Sequence, residues 1–169
     1  MFRKLFVIIY TFCLLSSSWS NQGFFQRYKK KYHQAVRFII KNKKVFRSVL
    51  DSKEKLRVLV PVIFPELIRF SLFQNKIETT GLYLVYVPYG SRGVDFSVGY
   101  FQMKPSFVEL LERLVKRNKK LNQFLKITRF SSRKVRKIRQ ERVNRLKILR
   151  WQLIYLNCYY EIMKLRFKS

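Results

Sequence analysis

The chain has 169 residues, of which 37 are Lys or Arg and 9 are Asp or Glu, so its formal net charge is +28. Hydrophobic residues make up 48% of the sequence and aromatic residues 17%, which is enough apolar surface for one packed domain and excludes a disordered basic tail. Two cysteines and one histidine offer neither a disulfide framework nor a metal site, and we expect no cofactor.

The first twenty residues have the pattern of a secretory signal peptide. A basic start is followed by the uncharged apolar run 5–15, and Ser18 and Ser20 have the spacing that a signal peptidase reads. The run is too short for a comfortable membrane span. We therefore expect residues 1–20 to be a signal peptide and the protein to be exported, to the periplasm or cell envelope. The alternative is an uncleaved membrane anchor.

The rest of the sequence is predicted to be all-α. Apolar residues recur at helical spacing with basic residues between them, first in a basic helical region over 21–54 and then in a helical domain over 55–169. Asp51 has capping-box spacing to Glu54 and predicts a helix start. Ser106 is expected to begin a later helix in the same way.

The C-terminal region is predicted to be one long basic helix or a pair of helices. Ser131 or Ser132 would cap it, and its apolar line is interrupted near Arg142, where we expect any break. Cys158, within this region, is interpreted as a small buried hydrophobe.

Prolines and glycines concentrate in the middle of the chain. All four prolines and four of the five glycines fall between residues 61 and 105. Proline fixes φ and glycine permits positive φ, so the backbone should bend sharply or approach a neighbour closely here. This concentration favours a cleft over a plain connection between helices.

Glu66 is the candidate catalytic residue. It is the only charged residue in the apolar stretch 58–68. Burial there would disfavour the ionised carboxylate and raise its pKa, as a general acid requires. The structural alternative is that Pro65 starts a helix and Glu66 interacts with the helix dipole.

A second motif lies over residues 99–105, which read Gly-Tyr-Phe-Gln-Met-Lys-Pro. Together with Glu66 upstream, it resembles the lysozyme-like superfamily, specifically lytic transglycosylases and goose-type lysozymes, over about residues 55–115. The resemblance implies a single lysozyme-like helical domain with Glu66 as the catalytic residue. It also implies a set of sugar-binding residues: Gly99, Tyr100, Phe101, Gln102, Met103 and, from a loose Tyr-Asn echo, Tyr155. The structural alternatives are a glycine turn followed by a helix that Pro105 starts and Ser106 caps, and a place for Tyr155 in the helix core, which is favoured.

The activity that the resemblance implies is cleavage of peptidoglycan glycan strands. Glu66 would act as the single general acid/base of a lytic transglycosylase, which breaks the bond from N-acetylmuramic acid to N-acetylglucosamine without water. A hydrolase would need a second carboxylate, for which Glu78 and Asp95 are the candidates. The scarcity of acids favours the lyase.

Basic residues are dense between positions 131 and 150, where Glu141 is the one acid. They are Arg133, Lys134, Arg136, Lys137, Arg139, Arg142, Arg145, Lys147 and Arg150. Such a field attracts polyanions, which for an exported protein are anionic envelope polymers or a membrane surface. The alternatives to an enzyme are a non-catalytic envelope- or peptidoglycan-binding protein of the same fold and, less favoured, a nucleic-acid-binding protein.

Overall fold

The computed structural model describes residue 26 and residues 28–167, so the predicted signal peptide over 1–20 lies outside the described residues. The chain divides into two compact units, with the boundary between Ile40 and Lys41. In the first unit, residues 28–40 are helical and form α1. Over the described part of the chain, we find no helix that combines the length and apolar character of a membrane span.

The second unit is built from helices. They are α2 (Lys43–Val49), α3 (Lys53–Arg69), α4 (Leu72–Gly81), α5 (Val87–Tyr89), α6 (Pro105–Arg117), α7 (Val135–Leu146) and α8 (Leu149–Phe167). A π-helical turn, Leu82–Tyr86, joins α4 to α5, and a 3₁₀ helix, Lys119–Thr128, follows α6. No β-strand occurs among the described residues, so the predicted all-α fold is confirmed.

Helix α3 begins one residue later than the capping box predicts. Ser52 is the N-cap, and its hydroxyl accepts a hydrogen bond from the Lys55 backbone N–H at 3.1 Å. The domain boundary expected after residue 54 therefore falls inside this helix. Pro61 and Pro65 lie within α3 and do not start a helix. Both are exposed, so water can reach the carbonyl groups that lose their N–H partner.

Helix α6 starts at Pro105, as the structural alternative for this segment predicts, but Ser106 does not cap it. Lys104 is its N-cap and Pro105 occupies its first position, where a missing N–H costs no hydrogen bond. Ser106 is already inside the helix, and both its N–H and its hydroxyl bind Asp95. The predicted Ser106 cap is therefore replaced by a carboxylate from the preceding loop.

The C-terminal region is a helix pair, but its break does not lie near Arg142. Helix α7 ends at Leu146, and α8 starts at Leu149. Arg142 is instead deep in the interior, so the interruption in the apolar line marks a buried charge. The predicted capping serines precede the helix start at Val135 without capping it. Cys158 is fully buried, as predicted, and burial raises its pKa to about 12.

Arg142 holds the centre of the second unit through a buried ion pair. Its Nε donates to Glu112 Oε1 at 3.0 Å, and its Nη2 donates to Glu112 Oε2 at 2.6 Å. Its Nη1 donates to the Tyr86 hydroxyl at 2.5 Å, and that hydroxyl donates to Glu109 Oε1 at 2.7 Å. One guanidinium thus joins α6, α7 and the π-helical turn.

Burial and pairing act in opposite directions on these groups. Burial raises the pKa of the Glu112 carboxyl, and the hydrogen bonds from Arg142 offset part of that rise. Burial disfavours the charged form of Arg142, but the hydrogen bonds with Glu112 raise its pKa above the usual value. For each group, pairing favours the charged form and opposes the effect of burial.

Arg145, one turn further along α7, is a second buried arginine. Its Nη1 donates to the Ile127 carbonyl at 2.8 Å, and its guanidinium lies 4.3 Å from the ring centres of Phe130 and Trp151. It also pairs with Glu141 at 2.7 Å. These contacts tie the segment after α6 to α7 and α8.

We predict that Arg142→Met lowers the free energy of unfolding by about 3–5 kcal/mol, because it leaves the Glu112 carboxylate buried without its partner. Urea unfolding followed by circular dichroism measures the loss. Arg136→Met, at an exposed position of the same helix, should change stability by no more than about 0.5 kcal/mol. A loss below about 1 kcal/mol for Arg142→Met would show that the ion pair is not central. The double variant Arg142→Met/Glu112→Leu should recover much of the loss.

Candidate functional site

A cavity of about 660 Å³ opens on the second unit between α3, the start of α4, the loop before α6, and one side of α6 and α8. Its lining residues are Val62, Ile63, Glu66, Arg69, Gln74, Ser97, Phe101, Gln102, Met103, Lys104, Phe107, Leu156 and Tyr159. The structure thus brings Glu66 and Gln102, from two separate sequence motifs, to the walls of one cavity.

Glu66 stands in the last turns of α3, on the side that faces the cavity. Its carboxylate accepts a hydrogen bond from Arg69 Nη2, one turn further along the helix. The Glu66 side chain is 27% exposed, whereas that of Arg69 is 70% exposed. Val62 and Ile63 supply apolar surface on the same wall. The carboxylate is therefore accessible from the cavity and has one charged partner, which is largely exposed.

Gln102 is held in a strained backbone conformation. Val98 and Met103 pair through two backbone hydrogen bonds of 3.0 Å, and the Gln102 N–H closes the turn on the Gly99 carbonyl at 3.1 Å. Gln102 has a φ of 48°, in the left-handed region that a residue with a Cβ rarely adopts. Such strain is typical of functional sites and persists only where the surroundings enforce it.

The side-chain amide of Gln102 is positioned by the same turn. Its Nε2 donates to the Gly99 carbonyl at 2.9 Å, and its Oε1 accepts from the Ser97 hydroxyl at 3.3 Å. Phe101 and Met103, on either side, are buried and line the cavity. The turn therefore presents a fixed amide between two apolar side chains.

The structure gives Gly99 a different role from the predicted one. Gly99 is buried, has a φ of 81°, and does not line the cavity. A Cβ at this position would lie 2.4 Å from both Gln152 Nε2 and the Leu146 carbonyl oxygen. Glycine is required because the corner between α7 and α8 approaches this backbone closely, not because a sugar does.

Two aromatic residues of the predicted sugar-binding set also lie elsewhere. Tyr100 packs its ring against Phe70, with ring centres 5.0 Å apart, and is not part of the cavity wall. Tyr155 is fully buried in the helical core, where its hydroxyl is near Arg145, and burial raises its pKa. Neither side chain contacts the cavity that Glu66 lines.

The two candidates for a second acid are not in the cavity wall either. Both Asp95 oxygens bind Ser106, at 2.9 Å to its N–H and 2.5 Å to its hydroxyl, which explains Asp95 as the anchor of α6. Glu78 Oε1 accepts from Gln74 Nε2 at 2.9 Å, and Gln74 in turn lines the cavity. Among the described residues of the wall, Glu66 is the only acid.

Several wall residues escaped the sequence prediction. The sequence did contain a hint for Arg69 and Lys104. Arg69 lies one helical turn after Glu66, and Lys104 directly follows Met103, so both are next to predicted site residues. Phe107 and Tyr159 had none, because α6 and α8 meet only in the folded chain, where their rings lie 5.5 Å apart edge to face. No group of three metal-binding side chains occurs within the described residues.

Comparison with known proteins identifies no relative of this chain. No protein-family model matches the chain, and no curated protein or solved structure is significantly similar to it.

We predict that Gly99→Ala destabilises the protein by roughly 2–4 kcal/mol, because the methyl group combines positive φ with a clash against the Leu146 carbonyl. Thermal and urea unfolding measure the loss. Gly81→Ala is the matched control: its φ is helical, and its methyl group would meet only the exposed Phe96 ring, which can move. It should change stability by less than about 1 kcal/mol. Equal effects of the two substitutions would contradict this account of Gly99.

Proposed function

We propose that the protein is a lytic transglycosylase that cleaves peptidoglycan glycan strands, with Glu66 as its single general acid/base. The observation that carries the proposal is that Glu66 and Gln102 line one cavity of about 660 Å³. A volume of this size suits part of a glycan chain. The lysozyme-like character of the helical domain is part of the same proposal, and it rests on the motif over residues 99–105.

The chemistry needs one residue that gives and takes a proton. Glu66 protonates the glycosidic oxygen as the bond to C1 of N-acetylmuramic acid breaks. The resulting carboxylate then removes the proton from the C6 hydroxyl of the same sugar, whose oxygen bonds to C1. The proton balance of Glu66 is restored, no water is consumed, and the product carries a 1,6-anhydro ring.

Other wall residues have roles that follow from their chemistry. The Gln102 amide contains both hydrogen-bond donors and an acceptor, which suit the acetamido and hydroxyl groups of an amino sugar. Phe107 and Tyr159 form an aromatic pair that offers apolar surface to a sugar ring. Lys104 and Arg69 supply positive charge for carboxylates of the stem peptides.

The composition of the wall favours the lyase over a hydrolase. Two-carboxylate hydrolysis needs a second acid within about 10 Å of the first. Glu66 is the one acid among the described wall residues. Asp95 is hydrogen-bonded to Ser106, and Glu78 to Gln74. A single carboxylate is sufficient for the anhydro product.

The proposed location follows from the N-terminal pattern. A signal peptide over residues 1–20 would export the protein to the periplasm or cell envelope, where peptidoglycan is found. Exposed basic side chains of the 131–150 region would attract anionic envelope polymers there.

A second candidate is a non-catalytic peptidoglycan-binding protein with the same cavity. The observation that favours it is the ion pair from Glu66 to Arg69, because the guanidinium already binds Oε1, one of the two carboxylate oxygens. The Gln102 amide is likewise engaged within its own turn. In this function the cavity would hold a glycan without cleaving it.

We predict that Glu66→Gln lowers the release of anhydro-muropeptides from purified sacculi by roughly 10²–10⁴-fold, because the amide cannot donate a proton to the glycosidic oxygen. Mass spectrometry of the soluble products measures the release and identifies the anhydro ring by its missing water. Binding to sacculi, measured by sedimentation, should persist in the variant.

Glu78→Gln is the matched control, because it makes the same change outside the cavity wall and should retain activity. Hydrated products that disappear in both variants would instead indicate a two-carboxylate hydrolase. Sacculus binding without release of any product by the unmodified protein would establish the non-catalytic candidate.

A further inference from the structure

Helix α4 and the turn that follows it expose a row of large apolar side chains. Phe73 is 75% exposed, Ile77 56% and Leu84 68%. We call these three residues the α4 stripe. Isolated exposed apolar residues are common, but a contiguous set on one element marks an interaction surface.

The stripe is a face of its own and not an edge of the core. Phe73, Ile77 and Leu84 follow helical spacing along one side of the element, while Thr79, Leu82 and Tyr86 are buried on the other side. The core therefore already has its own set of side chains from this element. The stripe remains available to a partner.

Charges of both signs lie around the stripe, on a protein with a large positive excess. Lys76 is exposed within the stripe, while Arg69, one turn before it, is paired with Glu66. Glu78, the acid of α4, has its carboxylate bound to the neutral amide of Gln74, with its second oxygen buried. The stripe thus combines apolar side chains with the exposed Lys76 and belongs to a chain whose net charge is +28.

We propose that the α4 stripe inserts peripherally into an anionic lipid surface. Bulky apolar side chains on a strongly cationic protein are the combination that enters the headgroup region of such a surface. Charge complementarity decides between this partner and a second copy of the chain, because two copies at +28 each repel one another. Apolar burial and attraction to anionic headgroups act together here.

The stripe adjoins the cavity. Gln74 and Arg69 belong to the cavity wall, and Leu72 and Phe73 stand between them in the chain. A lipid surface on the stripe therefore lies at the edge of the cavity and limits the directions from which a long polymer enters. The proposal concerns the surface alone and does not depend on glycan cleavage.

Vesicle sedimentation of the full chain tests the proposal. Phosphatidylcholine vesicles with about 30% phosphatidylglycerol are compared with pure phosphatidylcholine vesicles. We expect binding to the anionic vesicles, and a loss of roughly tenfold or more in partition coefficient for Phe73→Ser/Ile77→Ser. The matched control, Leu110→Ser/Ile148→Ser, removes two exposed apolar side chains outside the stripe and should bind as the unmodified protein does.

A local probe separates insertion of the stripe from binding through any other segment. Trp19 and Trp151 supply a background emission, so each variant is compared with the unmodified protein. Phe73→Trp should add an emission component that shifts to shorter wavelength when anionic vesicles are added, whereas the component added by Leu110→Trp should not shift. Absence of the shift, or unchanged partitioning of Phe73→Ser/Ile77→Ser with its helical circular dichroism intact, would overturn the proposal. A shift that depends on protein concentration without lipid, together with a dimer in sedimentation velocity, would overturn it in favour of a second copy.

Discussion

The buried ion pair between Arg142 and Glu112 is the constraint on which the second unit depends. Removing two charges from water is costly, and only full pairing with further hydrogen bonds offsets that cost. Arg142 obtains both by donating from Nε and Nη2 to Glu112, and from Nη1 to Tyr86 and Glu109. Arrangements that separate α6, α7 and the π-helical turn leave a buried charge unpaired. The pair therefore selects one packing of these elements over its competitors.

That packing sets the geometry of the cavity. The corner after α7 places the Leu146 carbonyl 2.9 Å from Gln152 Nε2, and Gln152 Oε1 accepts the Phe101 N–H at 2.8 Å. Gln152 thereby fixes the turn that carries Gln102. Its side chain packs against Gly99, where a residue with a Cβ would clash with it. The strained φ of Gln102 is maintained from outside the cavity by contacts that begin at the helix corner.

Local patterns predicted the helices and the two motifs that share the cavity, because hydrophobic spacing and isolated charges are readable in short stretches. Local patterns did not predict the role of a residue when its partner lies far away in the sequence. The reason for Gly99 is the α7–α8 corner, and the partner of Arg142 is on α6. Pro61 and Pro65 misled in another way: their exposure lets a helix continue through residues that usually end one. No sequence pattern indicated that the rings of Phe107 on α6 and Tyr159 on α8 would meet in the cavity wall.

The two buried arginines also change how the positive charge is to be interpreted. Arg142 and Arg145 belong to the dense basic segment over 131–150. Both are buried, and their guanidinium groups bind carboxylate and carbonyl oxygens of the protein itself. Only the residues that remain in solvent, such as Arg133 and Lys137, can attract a polyanion. Reversing every charge in the segment would therefore unfold the protein. The loss of polyanion binding would then result from unfolding and not from the loss of surface charge. Affinity for an anionic surface is a property of the exposed subset alone, and the fold is a property of the buried pair.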